Sequence, residues 1–400
     1  MTNKTSTGRG LISVVAASLI GAICNLILNT MPAYLAVLAR ERGLTESQSG
    51  LSAMADVGGL AIGTIACAML PWLIERLNWR RTVFCGMVLM VVGNLLSMST
   101  TSLAPFMVVR VLAGIGAGIG IAIVYATFAE GDSARELSFF NAGQLGIGAA
   151  AIPVFSSLAQ AYGLSGLYVA FAGAAVMALL LSFLIPRNPS VNASHTTHAV
   201  QLTAKVSAEG WVAITSVFFF FVAVGAIYSY LGYMGVAWGL SEATVESDIS
   251  IMLFVSMGAA ILVAAAGSRF GIGKPLLLGF AGLIASIVLF LVYKPSSGYL
   301  ASGVLFGISM NFIMPFHFAA VNKVDGSSSA AMLVSSATLV GFAVGPAIAG
   351  YLVTPDFGLI NMLGIAACLA ALVLIFVALK MHARRSQFGA RGRSASVVLA

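Results

Sequence analysis

A glycine-rich stretch directly after an arginine, RVLAGIGAGIG at residues 110–120, has the composition of a phosphate-binding loop. Dinucleotide-binding loops require the spacing G-x-G-x-x-G and P-loops end in G-K-[ST], and the stretch matches neither pattern. Its glycines recur at intervals of four instead, as in Gly114 and Gly118. Because such pairs let two membrane helices approach closely, we interpret the stretch as a transmembrane helix with Arg110 on its glycine face.

Asp56 and Arg110 are ionisable residues inside apolar stretches. Such a residue costs at least about 2.5–3.5 kcal/mol within a membrane and is a functional candidate by default. Counted at 1.5 Å per residue from their helix ends, both lie roughly 8–12 Å deep on the same side, so their side chains can meet. Asp56 shares its face with Gly59 and Gly63. Three alternatives remain for these two side chains: they couple transport to protons, they form a static ion pair, or they make no contact.

The composition places these residues in a membrane protein. Of 400 residues, 60% are hydrophobic and 8% are charged, and the mean hydropathy is +1.01. Soluble domains carry about 25% charged residues, so a large soluble part is excluded. A run of about 20 apolar residues spans a bilayer. The sequence predicts an all-α membrane protein with twelve transmembrane helices, at about 11–39, 48–74, 82–99, 105–129, 138–161, 165–185, 211–237, 248–266, 275–293, 299–322, 329–353 and 359–380.

The net charge of +7 is distributed as membrane topology requires. With both termini placed in the cytoplasm, the inside segments carry 16 of the 20 Lys and Arg residues, the outside segments carry three, and Arg110 lies within a span. This bias is the positive-inside rule. We therefore expect a bacterial-type inner membrane protein with cytoplasmic termini, and the basic balance does not indicate a nucleic-acid partner.

A single offset of 193 residues relates the two halves of the chain. The pairs are Arg76 and Arg269, Arg81 and Lys274, Gly114 and Gly307, Gly148 and Gly341, and Pro153 and Pro346. Transporters are often built from such repeats, with the substrate bound between them. We predict two pseudo-symmetric six-helix bundles, with boundaries of 1–185 for the first, 186–210 for a cytoplasmic linker, 211–380 for the second and 381–400 for a basic cytoplasmic tail.

The segment PWLIERLNWRRTV at residues 71–83 resembles the loop between helices 2 and 3 of the major facilitator superfamily, usually G-x-x-x-D-R-x-G-R-R. Proline replaces the leading glycine, and the spacer is one residue longer. RVLAGIGAGIG is similar to that superfamily's helix 4 motif, and SRFGIGKP at 268–275 to a second copy of the loop. The resemblance implies two bundles around a central cavity that opens alternately to each side. It also implies a cytoplasmic latch formed by Glu75, Arg76, Arg80, Arg81, Arg269 and Lys274.

Polar residues within other spans are candidates for the border of that cavity. The candidates are Asn25, Asn29, Tyr230, Tyr233 and Asn311. Asn25 and Asn29 are four residues apart and so share one helix face, where hydrogen bonding to substrate and packing between helices are the two alternatives. Tyr230 and Tyr233 also share a face.

Two further features of the second half carry less specific signals. His317 lies in an apolar span, where a lone histidine is more often a packed residue than a proton site. The pattern G-x-x-x-G-P, usual on helix 5 of antiporters in this superfamily, lies on helix 11 instead, at residues 341–346. This displacement weakens the inference of drug–proton antiport.

Together these patterns predict a secondary active transporter that moves a small organic solute across the inner membrane by alternating access, coupled to protons, with export favoured over uptake. One alternative is proton-coupled uptake of an organic acid, aromatic acids included, with Arg110 as the carboxylate clamp. A membrane-embedded enzyme or receptor is a second alternative, but no H-E-x-x-H, G-x-S-x-G or metal-spaced Cys/His cluster occurs. We expect no cofactor or metal, and a monomer whose partners are the solute, protons and lipid.

Overall fold

The computed structural model describes residues 11–70, 77–129, 133–187, 206–266, 271–293 and 296–398. Regular structure within these ranges consists of α-helices and one short 3-10 helix at Ser182–Leu184. The helices are α1 (Leu11–Cys24), α2 (Leu26–Asn29), α3 (Met31–Arg42), α4 (Glu46–Met69), α5 (Trp79–Ser99), α6 (Leu103–Ala129), α7 (Ser133–Leu181), α8 (Ala208–Ala237), α9 (Glu242–Ala266), α10 (Gly273–Val292), α11 (Ser296–Val324), α12 (Ser328–Tyr351) and α13 (Gly358–Val398).

The described helices form the twelve expected spans. Ten are long and apolar enough to cross a membrane. One of these, α7, leaves helical geometry at Gly163 and therefore supplies two spans, which correspond to the separate runs in the sequence. A further span consists of α1, α2 and α3 in succession, interrupted at Asn25 and Thr30. The prediction of twelve transmembrane helices is confirmed.

The repeat detected in the sequence is also present in the packing. In the first half, the backbone of α6 at Gly114 lies against α4 at Gly59. In the second half, Gly307 on α11 lies against Met252 on α9. The offset of 193 converts the first pair of residues into the second. The two bundles are thus pseudo-symmetric, as predicted.

The spans run alternately up and down, so the two sides of the molecule can be named from their connections. We call the side that carries the α3–α4 loop, residues 43–45, the first-loop end, and the opposite side the termini end. The kink of α7 and the α8–α9 connection also lie at the first-loop end, because Glu41 approaches Gly163 and Arg40 pairs with Glu242.

The bundle boundaries differ slightly from those predicted. Helix α8 begins at Ala208, inside the expected linker, and α13 continues to Val398, through the expected start of the tail at 381. Arg385 donates a hydrogen bond of 2.8 Å to Glu209, which ties the end of the last span to the beginning of α8. Most of the linker, residues 188–205, lies outside the described part of the chain.

The kink of α7 depends on glycine. Gly163 has φ 61° and ψ −154°, a conformation that is essentially restricted to glycine.

We expect Gly163→Ala to lower the free energy of unfolding by about 1–3 kcal/mol. Thermal unfolding of the purified protein measures this loss. Gly173→Ala, in the same helix at a position where an added Cβ meets no atom within 4 Å, is the control and should not destabilise. Equal losses in the two variants would contradict the account.

The Asp325 carboxylate, at the termini end, accepts hydrogen bonds from two segments that lie just before helices. Asp325, between α11 and α12, accepts hydrogen bonds from the Ser207 amide (2.7 Å), the Ser207 hydroxyl (2.9 Å) and the Ser327 amide (3.1 Å). Burial alone would raise the pKa of Asp325, but these hydrogen bonds lower it to about 2, below its ordinary value of 3.8. The ionised form is therefore favoured by folding, so its contribution to stability is complete above about pH 4 and is lost as the pH falls through 2.

We expect Asp325→Asn to lower the unfolding temperature at pH 6, because the amide is a poorer acceptor than the carboxylate. The difference from the native protein should narrow as the pH falls from 4 toward 2. Thermal unfolding across this range tests the contribution of these hydrogen bonds, and a difference that stays constant with pH would argue against it.

Candidate functional site

The structure brings Asp56 and Arg110 together. Helices α4 and α6 cross with their backbones in close contact, and glycine at the crossing permits this. A side chain on Gly59 would collide with the Val111 carbonyl, and a side chain on Gly118 would collide with α4. This approach leaves the two charged side chains on facing surfaces. Arg110 Nε donates to Asp56 Oδ1 at 2.7 Å, and Arg110 Nη2 lies 2.5 Å from the same oxygen. The side chains are only 3% and 1% exposed, so this is a buried ion pair.

The remaining surface of the Arg110 guanidinium is also occupied. Its Nη1 donates to Asn94 Oδ1 at 2.9 Å and to Ser97 Oγ at 3.3 Å, both on α5. Its carbon lies 5.8 Å from the ring centre of Tyr34 and 5.4 Å from that of Tyr168. Arg110 is therefore held by four spans of the first bundle, and each of its three nitrogens contacts a side chain of that bundle.

Asp56 is less completely bonded than its partner. Both contacts from Arg110 go to Oδ1, and Oδ2 is buried without a hydrogen-bond partner among the described residues. A buried ion pair whose acid keeps one unpaired oxygen is sensitive to the gain of a proton, since protonation removes the charge that Arg110 compensates.

A cluster of side-chain amides lies where the first span is interrupted. Asn25 Nδ2 donates to Gln144 Oε1 at 2.7 Å, and Gln144 Nε2 donates to Asn141 Oδ1 at 2.6 Å. Asn29 Nδ2 donates to the Gln144 carbonyl at 3.1 Å. We call Asn25, Asn29, Asn141 and Gln144 the amide cluster. It joins α2 to α7 about halfway along the bundle, where broken helices often form binding sites in transporters.

One hydrogen bond from the second bundle reaches this cluster. Tyr228 on α8 donates to the Asn29 carbonyl at 2.5 Å. The residue after this carbonyl, Thr30, departs from regular helical geometry, with φ −102° and ψ 6°. The interrupted first span is therefore a point at which the two halves of the protein meet.

The two predicted tyrosines lie nearer the first-loop end, between the halves. Tyr230 donates to the Glu46 carbonyl at 2.8 Å. Tyr233 donates to the Leu35 carbonyl at 3.1 Å and is 2.9 Å from Ser49 Oγ. Their rings are 5.5 Å apart, in accord with the shared face. In this conformation both hydroxyls bond α3 and α4 across the bundle interface, and their role at the substrate cavity stays a prediction.

The halves are closed against each other at this end. A side chain on Gly50 of α4 would collide with the Pro346 carbonyl of α12, and one on Gly350 would collide with the start of α4. Arg40 and Glu242 form an ion pair across the same gap. Because this pair is exposed, it contributes little energy, and the closure rests on the close backbone approach.

Asn311 and His317 lie within the second bundle. Asn311 donates to the Gly307 carbonyl of its own helix. His317 Nε2 is 2.8 Å from Ser216 Oγ, which itself donates to the Ala371 carbonyl at 2.7 Å. The Ser216 hydroxyl has one proton, so it accepts from Nε2–H, and His317 Nδ1 is left without a partner among the described residues. This arrangement favours the packed alternative for His317.

The predicted latch is only partly described. Arg80 donates through Nε (3.2 Å) and Nη2 (2.9 Å) to the Ile185 carbonyl, so it ties α5 to the end of the sixth span. Arg81 and Lys274 are exposed at the termini end. Glu75, Arg76 and Arg269 lie outside the described residues.

Several members of these clusters carried no specific signal in the sequence. They are Tyr34, Asn94, Ser97, Asn141, Gln144, Tyr168 and Tyr228. The spacing of Asn141 and Gln144, three residues apart in an apolar run, places them on one helix face. It was the available clue to the amide cluster, whereas the others resemble ordinary polar residues of membrane helices.

Comparison with known protein families agrees with this architecture. A sequence profile of the Major Facilitator Superfamily matches residues 15–332 of the chain. A search of curated protein sequences found no significant match.

Similar solved structures include the xylose transporter XylE from E. coli in a partially occluded inward open conformation, with a TM-score of 0.71, 13% identity and coverage of 90% of this chain and 96% of that one. The inward open conformation of the same transporter has a TM-score of 0.71 and 15% identity, with coverage of 89% of this chain and 94% of that one. The proton:xylose symporter XylE bound to 6-bromo-6-deoxy-D-glucose has a TM-score of 0.64 and 15% identity, with coverage of 90% of this chain and 93% of that one. At these identities the likeness shows the fold, and with the matched profile it identifies the chain as a member of the major facilitator superfamily, a membrane transporter and not an enzyme.

Proposed function

We propose that the chain exports a small organic solute by alternating access, and that the Asp56–Arg110 pair couples this movement to protons. The observation that carries the proposal is the buried Oδ2 of Asp56, which has no partner among the described residues, beside an Arg110 whose three nitrogens all contact side chains of the first bundle. A proton gained at Asp56 neutralises the acid and weakens the pair, while Arg110 keeps its bonds to α5.

Helix α4 supplies a physical connection between this pair and the closed end. Asp56 lies two turns from Ser49 and Gly50 along the same continuous helix. A change in how α4 packs on α6 therefore moves the surface that contacts Tyr233 and α12. A proton shifts the equilibrium only if Asp56 binds it more tightly in one conformation, which the opening of the closed end to water would provide.

Export is the direction that we assign to this cycle. With both termini in the cytoplasm of a bacterial-type cell, the first-loop end, which is closed in this structure, faces outward. Solute then enters from the inside, meets the amide cluster, and leaves when the first-loop end opens. The full engagement of Arg110 with Asp56, Asn94 and Ser97 speaks against uptake of an organic acid with Arg110 as its clamp.

At the opposite end we assign Glu75, Arg76, Arg80, Arg81, Arg269 and Lys274 to a latch that forms when the cytoplasmic side closes. The functional unit in this proposal is a monomer, since the closed end and the amide cluster are both built within one chain.

The test uses the full chain in proteoliposomes loaded with a pH-sensitive dye and exposed to a panel of neutral, cationic and anionic solutes. Any solute that changes the internal pH with the native protein should fail to do so with Asp56→Asn, because the amide cannot exchange a proton. Asp325→Asn, an acid-to-amide change outside the membrane, is the control and should retain the response. Unchanged proton flux in Asp56→Asn would remove the acid from the mechanism.

A further inference from the structure

The amide cluster is confined to one half of the protein. The offset of 193 places four apolar residues at the positions of its four amides, namely Phe218, Val222, Val334 and Ala337. The repeat-related positions of the two halves are therefore unequal in polarity.

Packing shows that these are equivalent places. In the first half, α2 crosses α7 where Asn29 touches Gly148. In the second half, α8 crosses α12 where the backbone carbonyl of Phe218 and the Cβ of Phe221 lie against Gly341, the repeat partner of Gly148. The residues at this repeated helix crossing are thus an amide in the first half and phenylalanines in the second. Phe218 is half-buried, and its ring lies 5.5 Å from that of Phe219.

The amide cluster retains hydrogen-bonding capacity of both kinds. Oδ1 of Asn25, Oδ1 of Asn29 and Nδ2 of Asn141 have no partner among the described residues. The cluster can therefore bind a ligand through neutral hydrogen-bond acceptors and a neutral hydrogen-bond donor. The buried acid and base of the first bundle, Asp56 and Arg110, are bonded to each other and do not contribute a charge here.

We propose that the transported solute is an uncharged amphipathic molecule: an amide, urea or similar donor–acceptor group binds the amide cluster, and an aromatic or aliphatic body lies against Phe218 and Phe219. This inference rests on the proposed function, since it names the substrate class of the same central site. Among the described residues a carboxylate finds no free cation at the cluster, and a polyol finds hydrogen-bonding groups in one half only.

The inference is tested by equilibrium dialysis of labelled 4-butylbenzamide against the full-length protein in detergent, with protein-free micelles as the blank. Matched competitors are 4-butylbenzoate, which changes only the amide to a carboxylate, and D-xylose, a neutral polyol. We expect the benzamide to bind at least 10-fold more tightly than either. Gln144→Leu should weaken its binding about 3- to 10-fold, the usual effect of one or two lost neutral hydrogen bonds.

A second variant keeps the test decisive if Gln144→Leu folds poorly. Phe218→Asn places an amide on the apolar wall and should reduce benzamide binding while improving that of D-xylose. Gln160→Leu, at an exposed site on the same helix as Gln144, is the control and should bind as the native protein does.

Equal or tighter binding of the benzoate or the polyol, or no binding of the benzamide, would overturn the substrate class. Benzamide binding that is indifferent to both variants would place the ligand elsewhere and overturn the site. Because dialysis needs no proton movement, a failed Asp56→Asn experiment leaves this result standing, and the two proposals fail separately.

Discussion

Replacing Arg110 with leucine is expected to destabilise the folded protein by about 3–5 kcal/mol, the usual consequence of removing one partner from a buried ion pair. Asp56 would be left 1% exposed and without its charged partner. The penalty falls on the first bundle, because Asn94 and Ser97 lose their bonds to Arg110 as well. We expect the variant to accumulate poorly and to unfold at a much lower temperature in detergent.

The double variant Asp56→Asn with Arg110→Leu separates charge from packing. It removes the acid together with the base, so a large part of the lost stability should return, while proton-linked transport should not. A double variant as unstable as Arg110→Leu alone would show that the cost comes from lost packing around Tyr34 and Tyr168, and that the ion pair is not the source.

Gly50→Leu is expected to hold the first-loop end open. The added side chain would occupy the position of the Pro346 carbonyl, so the closed contact between α4 and α12 cannot form. Overpacking of this kind costs about 1–3 kcal/mol in the closed state, which corresponds to a shift of about 5- to 150-fold in the balance between states. Transport should fall by a comparable factor, because one of its two states is disfavoured.

The shift can be measured as the rate at which an impermeant maleimide labels Ala53→Cys, a position one turn below Gly50 that is 0% exposed in the closed state. The labelling rate should rise about 10-fold or more with Gly50→Leu. Gly58→Leu, on the same helix where an added Cβ meets no atom within 4 Å, should leave the rate unchanged. Similar rates in all three backgrounds would show that the glycine does not control closure.

The large features of this fold could be read from the sequence because they depend on properties that act along one chain segment. Apolar length predicts a span, and the constant offset predicts a repeat whatever the neighbours are. The meeting of Asp56 and Arg110 was also accessible, since depth follows from the helical rise and both residues share faces with glycine. These three expectations needed no knowledge of which other helices lie nearby.

The parts that the sequence did not reveal depend on rotation of one helix against another. Tyr34 and Tyr168 surround Arg110 from the first and sixth spans, and nothing in their local sequences distinguishes them from other tyrosines of membrane helices. Tyr230 was expected at the cavity but bonds Glu46 across the closed end in this conformation. A single polar side chain in an apolar span serves a cavity or an interface equally well, and only the neighbouring helix decides between them.

The breaks in the first span show a similar limit. The interruptions of this span lie at Asn25 and Thr30, before Pro32. Proline removes a backbone donor and clashes with the carbonyl of the residue four positions earlier, so its effect appears in the preceding turn. The amides of Asn25 and Asn29 then gain partners on α7 that the sequence could not specify.

The proposed coupling requires that a proton at Asp56 changes how the two bundles pack against each other. Distances between spin labels at both ends of the molecule test this directly. One pair at exposed positions 46 and 243 reports on the first-loop end, and another at exposed positions 187 and 323 reports on the termini end. In the native protein, lowering the pH should change the two distance distributions in opposite directions. With Asp56→Asn both should stay fixed at the low-pH distribution at every pH. If Asp56→Asn instead followed the pH as the native protein does, the coupling proposed for this pair would be contradicted.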